Sequence, residues 1–76
     1  MKTKLQDMRE GKFTQAELSK IAGLNPQAIH HYETGFRSIE GCNIKALAKI
    51  AKALNCRIVD LLDDSETVRL ILSLPQ

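Results

Sequence analysis

Residues 14–33, T-Q-A-E-L-S-K-I-A-G-L-N-P-Q-A-I-H-H-Y-E, decide the fold of this chain. The apolar residues Leu18, Ala22, Leu24, Ile29 and Tyr32 recur at helical spacing on either side of Gly23-Leu24-Asn25. Thr14 followed by Glu17 has the form of a capping box, in which each side chain takes up an N–H that the first helical turn leaves unpaired. The helix it opens runs to about Ala22, and Gly23 supplies the left-handed stop. Asn25-Pro26 then opens a second helix, because Asn caps well and Pro sits where no N–H is needed. Gly35 ends that helix as Gly23 ends the first. The pattern predicts two short amphipathic helices crossing steeply at a tight turn, with the first turn of the second helix standing outward.

Working outward, Thr3 followed by Gln6 predicts a short helix to about Glu10, with Leu5 and Met8 inward. F-R-S-I-E-G-C at 36–42 reads as a loop. Asn43 caps a further helix, I-K-A-L-A-K-I-A-K-A-L. Its predicted buried face carries Ile44, Leu47, Ile50, Ala51 and Leu54, and its outer face Lys45, Lys49 and Lys52. Asn55 suits a left-handed end, and a short helix is expected at about Ile58–Asp63. The last segment, Val68 to Leu74, alternates as Val68, Leu70, Leu72, Leu74. That favours an extended strand over a helix capped at Ser65 and ended by Pro75. The expected organisation is an all-α domain over residues 1–64, followed by an apolar segment over 65–76.

Seventy-six residues form a small core, so association between copies is expected to contribute stability. The only aromatics are Phe13, Tyr32 and Phe36, which makes the core aliphatic and disfavours a β-sandwich or barrel. Residues 1–59 carry ten Lys/Arg against five Asp/Glu; residues 60–76 carry one Arg against four Asp/Glu. A basic body with an acidic end is compatible with nucleic-acid binding. Cys42 and Cys56 form neither a disulfide framework nor a zinc spacing, and His30-His31 point about 100° apart on a helix, so no metal and no cofactor is expected. With no leader and no membrane-spanning run in the sequence, the expected location is the cytoplasm. There is no nucleophile–base constellation, paired carboxylate site or phosphate-cradling glycine loop to support catalysis.

Two helices arranged in this way form a helix-turn-helix, which presents its second helix to the major groove of double-stranded DNA. Ile29 and Tyr32 must face inward, which turns Pro26, Gln27, His30 and His31 outward or beside the outward face. Ala28 is small enough there for close approach to base edges. Gln27 has the donor–acceptor pair that fits adenine N6 and N7, and His31 can donate to a guanine or a phosphate. Pro26 offers only van der Waals contact, for instance to a thymine methyl. Gln15 at the first turn of its helix, the exposed N–H groups at Phe36 and Arg37 with the Arg37 side chain, and Asn43 and Lys45 are the candidate phosphate contacts.

T-Q-A-E-L, I-A-G-L-N, Y-E-x-G at 32–35, A-L-A-K-I-A-K-A-L and D-L-L stand in an order and spacing that resemble the phage-repressor (Cro-like, Xre-like) helix-turn-helix family. The resemblance covers residues 5–62 and implies a lambda-repressor-like bundle of five helices. It also implies base contacts at Pro26, Gln27 and His31, phosphate contacts at the places just named, and the role of a transcriptional regulator. Phe36 stands where the family commonly has a basic residue, S-I-E-G-C replaces a proline-containing stretch, and Glu40 would repel phosphate if it faced DNA.

Blander roles are expected for other residues. Lys49 and Lys52 read as a solvated face, Cys56 as filler between the last two helices, and Cys42 as a loop thiol. Glu33 reads as a brace for the turn at Gly35, and Arg9 and Lys12 as either phosphate contacts or solubilising charges. The apolar end segment is expected to fold back or to pair with a second copy, giving a homodimer that reads two half-sites. Two other readings are an antitoxin-type autoregulator whose end segment holds a toxin or effector protein, and a protein-interaction module that has lost DNA binding. Pro26, Phe36 and the modest net charge of +2 favour the latter.

Overall fold

The computed structural model describes residues 2–75. Five α-helices follow one another: α1 (Lys4–Arg9), α2 (Gln15–Ala22), α3 (Pro26–Thr34), α4 (Ile44–Leu54) and α5 (Ser65–Leu72). Short 3-10 turns, Ile39–Gly41 and Ile58–Leu61, flank α4, and there is no strand among the described residues. α2 lies at the centre and packs against both α3 and α4, while α1 rests on α3 and on the second 3-10 turn.

Local chemistry sets the helix ends. Thr3 Oγ1 accepts the N–H of Gln6 at 3.2 Å, and Asn43 Oδ1 accepts that of Ala46 at 2.8 Å. Each such cap contributes about 1 kcal/mol by satisfying a donor the helix cannot. Asn55 (φ 55°) closes α4 in the left-handed region. The apolar stripes meet in one core: Leu5 from α1, Leu18 and Ala22 from α2, Ile29 and Tyr32 from α3, Leu47, Ile50 and Leu54 from α4, with Ile39, Leu61 and Leu62 from the connections. Burying each large aliphatic side chain stabilises the fold by roughly 1.5–3 kcal/mol.

Several expectations need correction. The end segment is a helix, not a strand. Asp64 Oδ2 accepts the N–H of Thr67 at 3.3 Å and its hydroxyl at 2.5 Å, so the cap is Asp64 rather than Ser65. A lone strand would leave its backbone groups unpaired, whereas a helix satisfies them internally. The expected helix at 58–63 is only the 3-10 turn Ile58–Leu61. Ile44 points to solvent, 68% exposed, because it sits in the first turn of α4, beyond the part of the stripe that neighbouring elements cover. Cys42 is buried in the core rather than free on a loop. Burial pushes the pKa of its thiol up, and likewise that of the neighbouring Tyr32 hydroxyl.

Glu40 is turned inward as a clasp. Its Oε2 accepts the N–H groups of Asp63 (2.8 Å) and Asp64 (3.0 Å), and its Oε1 accepts the Ser38 hydroxyl. Asp63 Oδ1 in turn accepts the N–H of Lys4 at 3.0 Å, so the loop after α3, the approach to α5 and the start of α1 are tied together. Burial alone would raise the Glu40 pKa. The Ser38 hydroxyl and the backbone donors outweigh it and hold the carboxyl below the ordinary carboxylate range.

Candidate nucleic-acid interface

The turn between α2 and α3 forms as the sequence predicts. Thr14 Oγ1 accepts the N–H of Glu17 (3.1 Å) and Glu17 Oε1 accepts that of Thr14 (2.8 Å), which completes the capping box. Gly23 adopts φ 71°, a conformation only glycine takes readily, and lets the N–H of Leu24 return to Ser19 O at 2.8 Å. The chain then reverses into Asn25, whose Oδ1 accepts the N–H of Gln27 at 2.9 Å. With Pro26 at the first position, the opening turn of α3 is built without an orphaned donor.

Ile29, Tyr32 and Glu33 face the interior, and Pro26, Gln27 and His30 face solvent. Ala28 and His31 are half-buried, and Ala28 packs against the edge of the core. Asn25, Gln27, Ala28, His31 and Arg37 line one shallow depression, which brings Arg37 from the following loop beside the predicted base-contacting residues. Gly35 (φ 80°) permits this return, and the N–H of Arg37 is held by His31 O at 3.1 Å. The Phe36 ring, 75% exposed, lies against the His31 imidazole with centroids 4.7 Å apart. A phenyl ring offers no donor to a phosphate, so only the backbone N–H of Phe36 can serve the contact expected there.

Asn43 and Lys45 are exposed at the start of α4, though Asn43 Oδ1 is committed to its helix cap, leaving only the amide nitrogen free to donate. Lys49 Nζ lies 3.8 Å from where a Cβ on Gly23 would stand, at the C-terminal end of α2, where the helix dipole favours a cation. Lys45 and Lys52 are solvent-exposed.

Glu33 pairs with Arg9 rather than bracing the turn at Gly35, so Arg9 is not a free surface charge. Arg9 Nε and Nη2 donate to the two Glu33 oxygens at 2.5 and 2.9 Å, and Arg9 Nη1 donates to Phe13 O at 2.9 Å. Gln15 Nε2 adds a third donor to Glu33, 3.0 Å from Oε1, and also lies 3.5 Å from His30 Nδ1. The predicted phosphate contact at Gln15 therefore sits on a buried ion pair rather than swinging freely. The signal was present: Glu33 follows Ile29 by four residues and so shares its buried stripe, where a carboxylate has to find a cation.

Among the described residues no group of three or more His, Cys, Asp or Glu is arranged to hold a metal ion, and no helix is long and apolar enough to cross a membrane. Comparison with curated proteins and with solved structures found no significant match. The family model described as the Cro/C1-type HTH DNA-binding domain matches residues 6–66. That span runs from within α1 through α2, α3 and α4 and includes the turn at Gly23 and the exposed opening of α3, so the chain belongs to the Cro/C1-type helix-turn-helix family of non-enzymatic, sequence-specific DNA-binding regulators.

Proposed function

We propose that this protein is a transcriptional repressor that inserts α3 into the major groove and blocks a promoter by occupying it. The observation that carries the reading is the exposure of Pro26 and Gln27 on the opening turn of α3, beside Arg37. Gln27 reads adenine through a bidentate bond, His31 donates to a guanine or a phosphate, and Pro26 and Ala28 make close apolar contact. The backbone N–H of Gln15 at the first position of α2, Arg37, the N–H of Phe36, Asn43 and Lys45 hold the phosphates on either side.

The working unit is a homodimer. Leu70, Ile71, Leu72 and Leu74 of the end segment are exposed, an apolar edge that a small domain does not leave open without use. A second copy covering it creates two recognition helices on a two-fold axis, which read half-sites about one helical turn apart. Selection of bound sequences from random duplex DNA, with stoichiometry measured on the winner, tests the whole reading. A palindromic site bound by two chains is expected. Failure to enrich any sequence removes the repressor reading, and a selected site bound by one chain removes the dimer.

A further inference from the structure

We propose that the buried carboxylate of Glu33 is a positioning residue for the DNA-facing surface: by holding the Gln15 amide, it makes His30 present its Nε2–H outward as a hydrogen-bond donor. The proposal rests on the reading of α3 as the groove-facing helix.

Arg9 fixes both oxygens of Glu33, whose side chain is only 2% exposed. A carboxylate only accepts, so the end of the Gln15 amide turned towards it must be the nitrogen. The reversed amide would press its oxygen against a buried negative charge, and the usual ambiguity of amide orientation therefore vanishes here. The same nitrogen has a second N–H, and His30 Nδ1 lies 3.5 Å away. An amide nitrogen cannot accept, so Nδ1 must; a neutral imidazole accepting at Nδ1 carries its proton on Nε2. Glu33, Gln15 and His30 thus form a directional relay from the interior to the exposed side of α3. An outward Nε2–H selects acceptors: guanine N7 or O6, adenine N7, thymine O4 or a phosphate oxygen. It disfavours the amino groups of cytosine and adenine.

Two measurements test this. The first uses the protein without DNA: nitrogen-15 chemical shifts of His30 and His31 in mildly alkaline solution, which report the tautomer of each ring. Gln15→Met keeps the side-chain length, removes both donors and leaves the Arg9–Glu33 pair intact. It should lower the ratio of Nε2–H to Nδ1–H forms of His30 by about threefold to tenfold, the worth of one ordinary hydrogen bond. His31 should not change. Glu33→Gln, if folded, should act in the same direction. An unchanged His30 ratio in Gln15→Met overturns the relay.

The second uses the duplex recovered by selection. His30→Ala should weaken binding by about fivefold to thirtyfold. His30→Gln, which places an N–H near the position of Nε2–H, should recover most of the loss, and the shorter His30→Asn should recover little. Equal recovery by both, or recovery by Asn alone, overturns the assignment of Nε2–H as the outward donor. If the wild type selects no duplex at all, the contact role of His30 falls with the groove reading. The tautomer measurement, made without DNA, separates that failure from failure of the relay itself.

Discussion

Arg9 on α1 and Glu33 on α3 form a two-point ion pair, 2.5 Å from Nε to Oε2 and 2.9 Å from Nη2 to Oε1, with both side chains largely shielded from water. The pair joins helices that are far apart in sequence and lies directly under Gln15. Breaking one side strands a buried charge, which costs far more than the intact pair contributes.

Arg9→Met and Glu33→Gln should each destabilise the fold by about 3–5 kcal/mol, seen as a large drop in thermal midpoint. The paired replacement Arg9→Met with Glu33→Leu should regain most of that loss. Equal melting of Arg9→Met and wild type would mean that the ion pair is dispensable.

Gln27→Ala should reduce affinity for the selected site by about fivefold to 150-fold, the equivalent of ~1–3 kcal/mol. Base preference should relax at one position per half-site. Repeating the selection with the variant checks this, and an identical preferred sequence would remove Gln27 from base reading.

Arg37→Ala should weaken binding to all sequences alike. The slope of log affinity against log salt should become shallower by about 0.9 for each chain bound, as one phosphate contact is lost. A change in sequence preference instead would make Arg37 a reader.

Leu70→Asp should leave the thermal stability of the monomer nearly unchanged, since Leu70 is 60% exposed and gives up little burial. Sedimentation should show a shift from dimer to monomer. An unaltered dimer would move the interface away from α5.

The Glu40 clasp makes a pH-dependent contribution. Its carboxyl is held below the ordinary value of 4.5, so the ionised form is the stabilising one. The contribution is fully present above that value and is lost as pH falls through the lower, folded-state value. Glu40→Gln should therefore melt below the wild type at neutral pH, by about 1–2 kcal/mol in stability. The difference should narrow in acid below about pH 4.5. A difference that stays constant with pH would mean that the charge of Glu40 is irrelevant to the clasp.

Short-range chemistry was legible in the residues themselves. The Thr14–Glu17 box, Gly23, Asn25-Pro26 and Gly35 specify helix ends through contacts only a few residues long, so α2, the turn and α3 follow without knowledge of the rest. The periodicity of Leu18, Ile29, Tyr32, Leu47 and Leu54 likewise located the core and, by subtraction, the outward face bearing Gln27 and His30. Tertiary structure decided whatever depended on partners distant along the chain. Arg9 meets Glu33 across 24 residues, and Glu40 meets Asp63 across 23. Local pattern cannot choose among several charges of the right sign. The alternation at Val68–Leu74 points to a strand, but the segment is a helix: a strand needs a neighbour to pair with, a helix needs only itself, and Asp64 supplies the cap.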